Sequence, residues 1–122
     1  MEKQKILIVD DSEMNRDLLI DILEDQYDIV EAENGAEAVA ILLQQRTDFS
    51  LLLLDIMMPQ MDGFEVLTCI NKNHWNDTFA VIMISADDSP ANIKRAYDLG
   101  AFDYISRPFD STIVQRRISN TM

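Results

Sequence analysis

Ile6-Leu7-Ile8-Val9-Asp10-Asp11-Ser12 is a continuous apolar run, rich in β-branched residues, that ends in two adjacent carboxylates. Such a run predicts a strand buried on both faces, because a strand with one wet face alternates apolar and polar residues. Residues 13–25 then space Met14, Leu18, Leu19, Ile22 and Leu23 as a helix does, and Ser12 can cap it. The strand-then-helix unit recurs along the chain. Strands are predicted over Tyr27–Glu31, Leu51–Leu54, Phe79–Ile84 and Ala101–Ile105. The helices between and after them run over Gly35–Gln45, Asp62–Asn71, Pro90–Leu99 and Phe109–Ser119. Within the helices, Ala38, Val39, Leu42 and Leu43 share one face of the second, and Phe64, Leu67 and Ile70 point inward from the third. A βα unit about every 22–29 residues implies an open parallel sheet with helices on both faces.

The composition agrees with one globular domain over residues 1–122, either independent or cut from a longer chain. Acidic residues number 22 against 10 basic ones, for a net charge of −12. That balance argues against direct nucleic-acid binding, which needs a basic patch, and against docking on anionic membranes. The single cysteine, Cys69, excludes an intrachain disulfide. The longest purely apolar run, Leu51–Leu54, is far too short to cross a bilayer, and the N-terminus lacks a signal-peptide pattern, so a cytoplasmic location is expected.

In open parallel α/β sheets, functional groups collect beyond the carboxyl ends of the strands. Asp10-Asp11-Ser12 follows the first strand, Asp55-Ile56-Met57-Met58-Pro59 the third, Ser85-Ala86-Asp87 the fourth and Ser106-Arg107-Pro108 the fifth. Glu31-Ala32-Glu33, after the second, is expected to one side. Three carboxylates, a hydroxyl and a guanidinium therefore converge on one sheet edge. Clustered carboxylates repel and call for a cation, and a hard divalent ion such as Mg²⁺ suits oxygen donors. A carboxylate between a metal and a positive side chain is a good phosphoryl acceptor.

These residues resemble the receiver domain of two-component response regulators. The carriers are Ile6-Leu-Ile-Val-Asp-Asp11, Leu54-Asp55-Ile-Met-Met-Pro59, Met61-Asp62-Gly63-Phe64, Ser85-Ala86, Gly100-Ala101 and Asp103-Tyr-Ile-Ser-Arg-Pro108, in order along nearly the whole chain. The resemblance implies a five-stranded, flavodoxin-like (βα)5 fold. It also implies a switch that helps catalyse its own phosphorylation and dephosphorylation rather than turning over a substrate. Asp55 would be the phosphoacceptor. Asp11, Asp55 and the backbone carbonyl of Met57 would hold Mg²⁺, for which Mn²⁺ can substitute, with Asp10 acting largely through water. Ser85 and Tyr104 would sense the phosphoryl group, and the side chains of Met57 and Asp87 would tune its loss. Arg107 stands where the family has lysine before proline, and its planar fork is expected to pair bidentately with Asp55. By the same resemblance the Arg107–Pro108 bond is expected to be cis.

The implied partner is a sensor histidine kinase or a histidine phosphotransfer protein, with a C-terminal output domain where the chain is longer. The signalling face would lie on the fourth helix, fifth strand and fifth helix. It carries Lys94, Arg95, Asp98, Asp103, Arg116 and Arg117, and its mixed charges permit a homodimer. Two other readings fit less well. A dehalogenase-type hydrolase wants a second carboxylate two residues after its nucleophile, where this chain has Met57. A flavodoxin-like cofactor binder wants a Ser/Thr/Gly-rich phosphate loop where this chain has Asp10-Asp11. The remaining alternative is a degenerate receiver that serves only as a docking or dimerisation module. His74, in a polar loop, and Cys69, on a helix, are read as having no chemical role.

Overall fold

The computed structural model describes residues 3–86 and 89–121. Five strands, β1 (Lys5–Val9), β2 (Asp28–Ala32), β3 (Leu51–Asp55), β4 (Ala80–Ser85) and β5 (Asp103–Ser106), alternate with five helices. The helices are α1 (Glu13–Leu23), α2 (Gly35–Gln45), α3 (Gly63–Lys72), α4 (Pro90–Asp98) and α5 (Ser111–Thr121). Single 3₁₀ turns at Arg46–Asp48 and Trp75–Asp77 fall between predicted elements. The sheet is parallel throughout, in the order β2-β1-β3-β4-β5.

The unbroken apolar runs have a direct physical reason. Successive side chains of a strand point to opposite faces, and here both faces are covered. Leu7, Val9, Leu52, Leu54, Val81 and Met83 pack with α2 and α3 residues such as Leu42, Phe64 and Leu67 on one side. Ile6, Ile8, Leu51, Leu53, Ile82 and Ile84 pack with Leu19 and Leu23 of α1 and Val114 and Ile118 of α5 on the other. Edge strand β2 is covered less well, and its residues are mixed.

Helical faces differ from expectation in two places. Met14 and Leu18 are 73% and 47% exposed, so α1 turns Leu19 and Leu23 inward instead. Leu43, expected on the inner face of α2, is 60% exposed. Boundaries shift near the C-terminus too. Gly100 takes a left-handed φ of 103° after α4, and the Phe102 amide donates to Val81 O, so β5 begins two residues later than predicted. Asp110 Oδ1 accepts from the amides of Thr112 and Ile113, which starts α5 at Ser111.

Candidate functional site

The chain order reverses between β1 and β3, with β2 on one side and β4 on the other. Beyond the carboxyl ends of two strands that diverge in this way lies a crevice, the usual ligand position in such sheets. The β1–β3 register pairs Val9 with Leu54, so Asp10 and Asp55 leave the sheet side by side. Oxygens of Asp10, Asp11 and Asp55 lie within 4.8 Å of one another. Asp10 and Asp55 are each only 1% exposed, whereas Asp11 faces solvent.

Asp10 is held from every side. Its amide donates to Ala32 O at 3.1 Å, and its Oδ1 accepts from the Ser12 amide at 2.9 Å. Its carbonyl accepts from Arg16 Nη1 at 2.7 Å, and its Oδ2 pairs with Arg107 Nη2. Asp55 is different. Neither of its buried carboxylate oxygens accepts a hydrogen bond of normal geometry, although Arg107 Nη2 lies 3.2 Å from Oδ1. Burial, then the charge of Asp10, pushes the Asp55 carboxyl up to about 7, against the opposing pull of Arg107 and the nearby Met57 amide. Asp10 is also raised, mainly by burial, with the Ser12 amide and Arg107 opposing. A group of hard oxygen donors in which the Asp55 carboxylate is orphaned among mutually repelling neighbours fits Mg²⁺ or Mn²⁺.

The loop after Asp55 is tied back to it. The Gly63 amide donates to Ile56 O at 2.8 Å, and a Cβ on Gly63 would fall 2.3 Å from Asp55 O. Only glycine lets α3 start against this backbone. Asp62 caps α3, its Oδ1 accepting from the Glu65 amide at 2.9 Å. Met57 is 69% exposed beside the crevice, while Met58 packs into the core.

The remaining expected residues also reach this edge. Ser85 is fully buried at the end of β4, and its carbonyl accepts from the Arg107 amide at 2.9 Å. Tyr104 is 5% exposed and joins the core beneath α4. The Arg107–Pro108 peptide is cis, and the Arg107 side chain turns into the site, 20% exposed. It does not form the expected bidentate pair with Asp55. A single nitrogen, Nη2, spans both carboxylates: its nearer partner is Asp10 Oδ2, which leaves Asp55 Oδ1 3.2 Å from it and Arg107 Nε without a hydrogen-bond partner. Asp87 lies outside the described residues. His74 is exposed, in a left-handed turn outside the site, and Cys69 is partly buried on α3. Glu31 lies to one side on edge strand β2, yet Arg16 Nε donates to its Oε1 at 3.0 Å. The sequence reading missed Arg16, whose only signal was a basic residue early in the helix behind the acid pair.

The comparisons agree with this geometry. The family model described as response regulator receiver domain matches residues 6–119. Chemotaxis protein CheY of Halobacterium salinarum is 38% identical over 123 residues, covering 100% of this chain and 98% of its own. Transcriptional regulatory protein ResD of Bacillus subtilis is 41% identical over 115 residues, covering 93% of this chain but 46% of its own length. The structure of a CheX-CheY-BeF3-Mg²⁺ complex from Borrelia burgdorferi superposes with a TM-score of 0.91 at 31% identity, over 98% of this chain and 89% of that one. Among the described residues no helix is long and apolar enough to cross a membrane. With a crevice of three carboxylates at the strand ends and the family model spanning almost every element that builds it, the chain belongs to the response regulator receiver domain family.

Proposed function

We propose that residues 1–122 act as one receiver unit that accepts a phosphoryl group on Asp55 from a phosphohistidine of a partner kinase or phosphotransfer protein. The observation that carries this reading is the Asp55 carboxylate, buried at a strand end with both oxygens lacking hydrogen bonds and a guanidinium at 3.2 Å. A carboxylate oxygen of Asp55 forms the new P–O bond as the P–N bond to the donor imidazole breaks. The electron pair leaves with that nitrogen, which takes up a proton. Mg²⁺, held by Asp11, Asp55 and the Met57 carbonyl with Asp10 through water, would draw charge from the phosphoryl oxygens when bound. The beryllofluoride and Mg²⁺ of the Borrelia complex support this, since beryllofluoride mimics a phosphoryl group.

Positioning and electrostatics do most of the work in such a transfer. Arg107 neutralises the developing charge. Ser85, whose backbone is tied to Arg107, meets the phosphoryl oxygen, and Tyr104, in the core on the neighbouring strand, is the switch. Met57 offers a hydrolytic water no hydrogen bond, which favours a long-lived phosphoryl state, with Asp87 as its counterpart.

A donor protein must reach Asp55 from outside, and exposed Met14 and Leu18 offer it apolar contact. Beside them lies a groove of about 330 Å³ lined by Asn15, Leu18, Ala86, Arg107, Pro108 and Phe109. The output leaves through α4, β5 and α5, where Tyr97 Oη and Arg117 Nη1 both donate to Asp103 Oδ1. Relatives such as ResD are about twice as long, which supports an output domain in a longer chain.

The test is incubation with a small acyl phosphate and Mg²⁺, read by intact-protein mass. One phosphoryl group should be gained, and Asp55→Asn should gain none. The hold of Arg107 on both carboxylates favours one rival, a silent docking module. No mass gain in the wild type would decide for that rival.

A further inference from the structure

We propose that Arg16 is the positioning residue of the acid cluster, fixing the Asp10–Asp11 peptide and thereby aiming the Asp11 carboxylate at the divalent ion. This rests on the reading that the cluster holds Mg²⁺. Arg16 lies one turn into α1, with its side chain only 12% exposed. Its two donors work in different directions. Nη1 donates to the Asp10 carbonyl at 2.7 Å, and Nε donates to Glu31 Oε1 at 3.0 Å. The Asp10 carbonyl belongs to the same peptide plane as the Asp11 amide, so holding it sets the direction in which the Asp11 side chain leaves the backbone. Asp11 is exposed, and the backbone is therefore its main guide. The other contacts of Asp10, to Ala32 O, from the Ser12 amide and with Arg107 Nη2, leave that carbonyl to Arg16.

Coulombic and positional roles predict opposite signs. A guanidinium beside three carboxylates repels a divalent ion, so on charge alone its removal tightens Mg²⁺ binding. As a positioning residue, its removal loosens Mg²⁺ binding, because groups that orient metal ligands typically govern affinity about ten- to a hundredfold. A lysine keeps the charge but lacks the fork that joins Asp10 to Glu31.

The experiment is calorimetric titration of the wild type, Arg16→Gln and Arg16→Lys with MgCl₂, well below each melting temperature. Arg107→Gln removes one positive charge from the same cluster and serves as the comparator. Arg16→Gln is expected to bind Mg²⁺ about tenfold more weakly than wild type, and Arg16→Lys several-fold more weakly, whereas Arg107→Gln binds it more tightly. Unchanged or tighter binding in Arg16→Gln overturns the proposal, and so does wild-type affinity in Arg16→Lys. Should Arg16→Gln fail to fold, Arg16→Lys decides alone, because charge predicts no change in it. Absence of Mg²⁺ binding in the wild type would remove the metal reading and this inference together. Normal wild-type binding with unaffected Arg16 variants removes only the inference.

Discussion

Arg107 Nη2 faces two carboxylates at once, pairing with Asp10 Oδ2 and lying 3.2 Å from Asp55 Oδ1. One nitrogen thereby joins the ends of two neighbouring strands at groups that are each 1% exposed. Any cation drawn to the same oxygens competes with it. Replacing Arg107 by glutamine should therefore tighten Mg²⁺ binding about tenfold by calorimetry, the scale of one charge-assisted contact. Wild-type affinity in Arg107→Gln would mean that the arginine yields at no cost.

The same contact bears on phosphorylation. A compact ammonium suits a phosphoryl oxygen, whereas Nη2 of the arginine is already committed to two carboxylates. Initial rates with a saturating small phosphodonor should fall in the order Arg107→Lys, wild type, Arg107→Ala. A misplacement near 1 Å can cost about a hundredfold, so the lysine gain should be at least several-fold. A lysine variant no faster than wild type would make arginine a full substitute.

The acid pair predicts a pH dependence of stability in metal-free protein. The folded Asp55 carboxyl is raised from 3.8 to about 7, and Asp10 shifts the same way. The folded state then holds a proton that the unfolded chain has released. This stabilisation is complete below about pH 4 and is lost as pH rises through about 7, with a slope of at most about 1.4 kcal/mol per pH unit per proton. Chemical denaturation in chelator should show stability falling across that window. Asp55→Asn should flatten the curve and raise stability at pH 7.5. An unchanged slope in Asp55→Asn would place the linkage elsewhere.

Millimolar Mg²⁺ should raise the melting temperature at pH 7.5, because the ion binds a constellation present only in the fold. At tenfold excess over the dissociation constant the gain is about 1.4 kcal/mol, or several degrees for a domain of this size. Asp11→Ala should abolish the rise. An equal rise in that variant would move the ion away from Asp11.

Gly63→Ala should destabilise the protein by about 1–3 kcal/mol, since its Cβ would fall 2.3 Å from the Asp55 carbonyl oxygen and the backbone must shift. The shift should also slow phosphorylation, because it moves the residue that accepts the group. Thermal denaturation and the phosphodonor assay read the two effects separately, and wild-type values in both would refute the close approach.

Much of this architecture is legible in the chain itself. Ile6–Val9 of β1 and Leu51–Leu54 of β3 are unbroken apolar runs because both faces of a central parallel strand are covered, a pattern that needs no partner to be recognised. Asp10, Asp11 and Asp55 could be placed together because strand ends in a parallel sheet share one edge. Helix faces were less legible. Spacing marks Met14, Leu18, Leu19, Ile22 and Leu23 of α1 alike, but which of them turns inward depends on where α5 packs against it. The true start of β5 depended on a left-handed Gly100 and on the Phe102 amide finding Val81, a pairing across the sheet.

The chemistry of the site needed distances that no local pattern holds. Asp10 and Arg107 are 97 positions apart, and only the β1–β3 register with the turn after β5 brings one guanidinium nitrogen between two carboxylates. Arg16 reaches a backbone carbonyl, which every residue possesses and no sequence motif distinguishes. Residue types and their order determined which groups gather at the strand ends, because covalent spacing and apolar periodicity are local. Which oxygen meets which donor, and which carboxylate stays without a hydrogen bond, was decided by tertiary packing, because a hydrogen bond needs donor and acceptor about 3 Å apart, held to within a few tenths of an ångström, on distant parts of the chain.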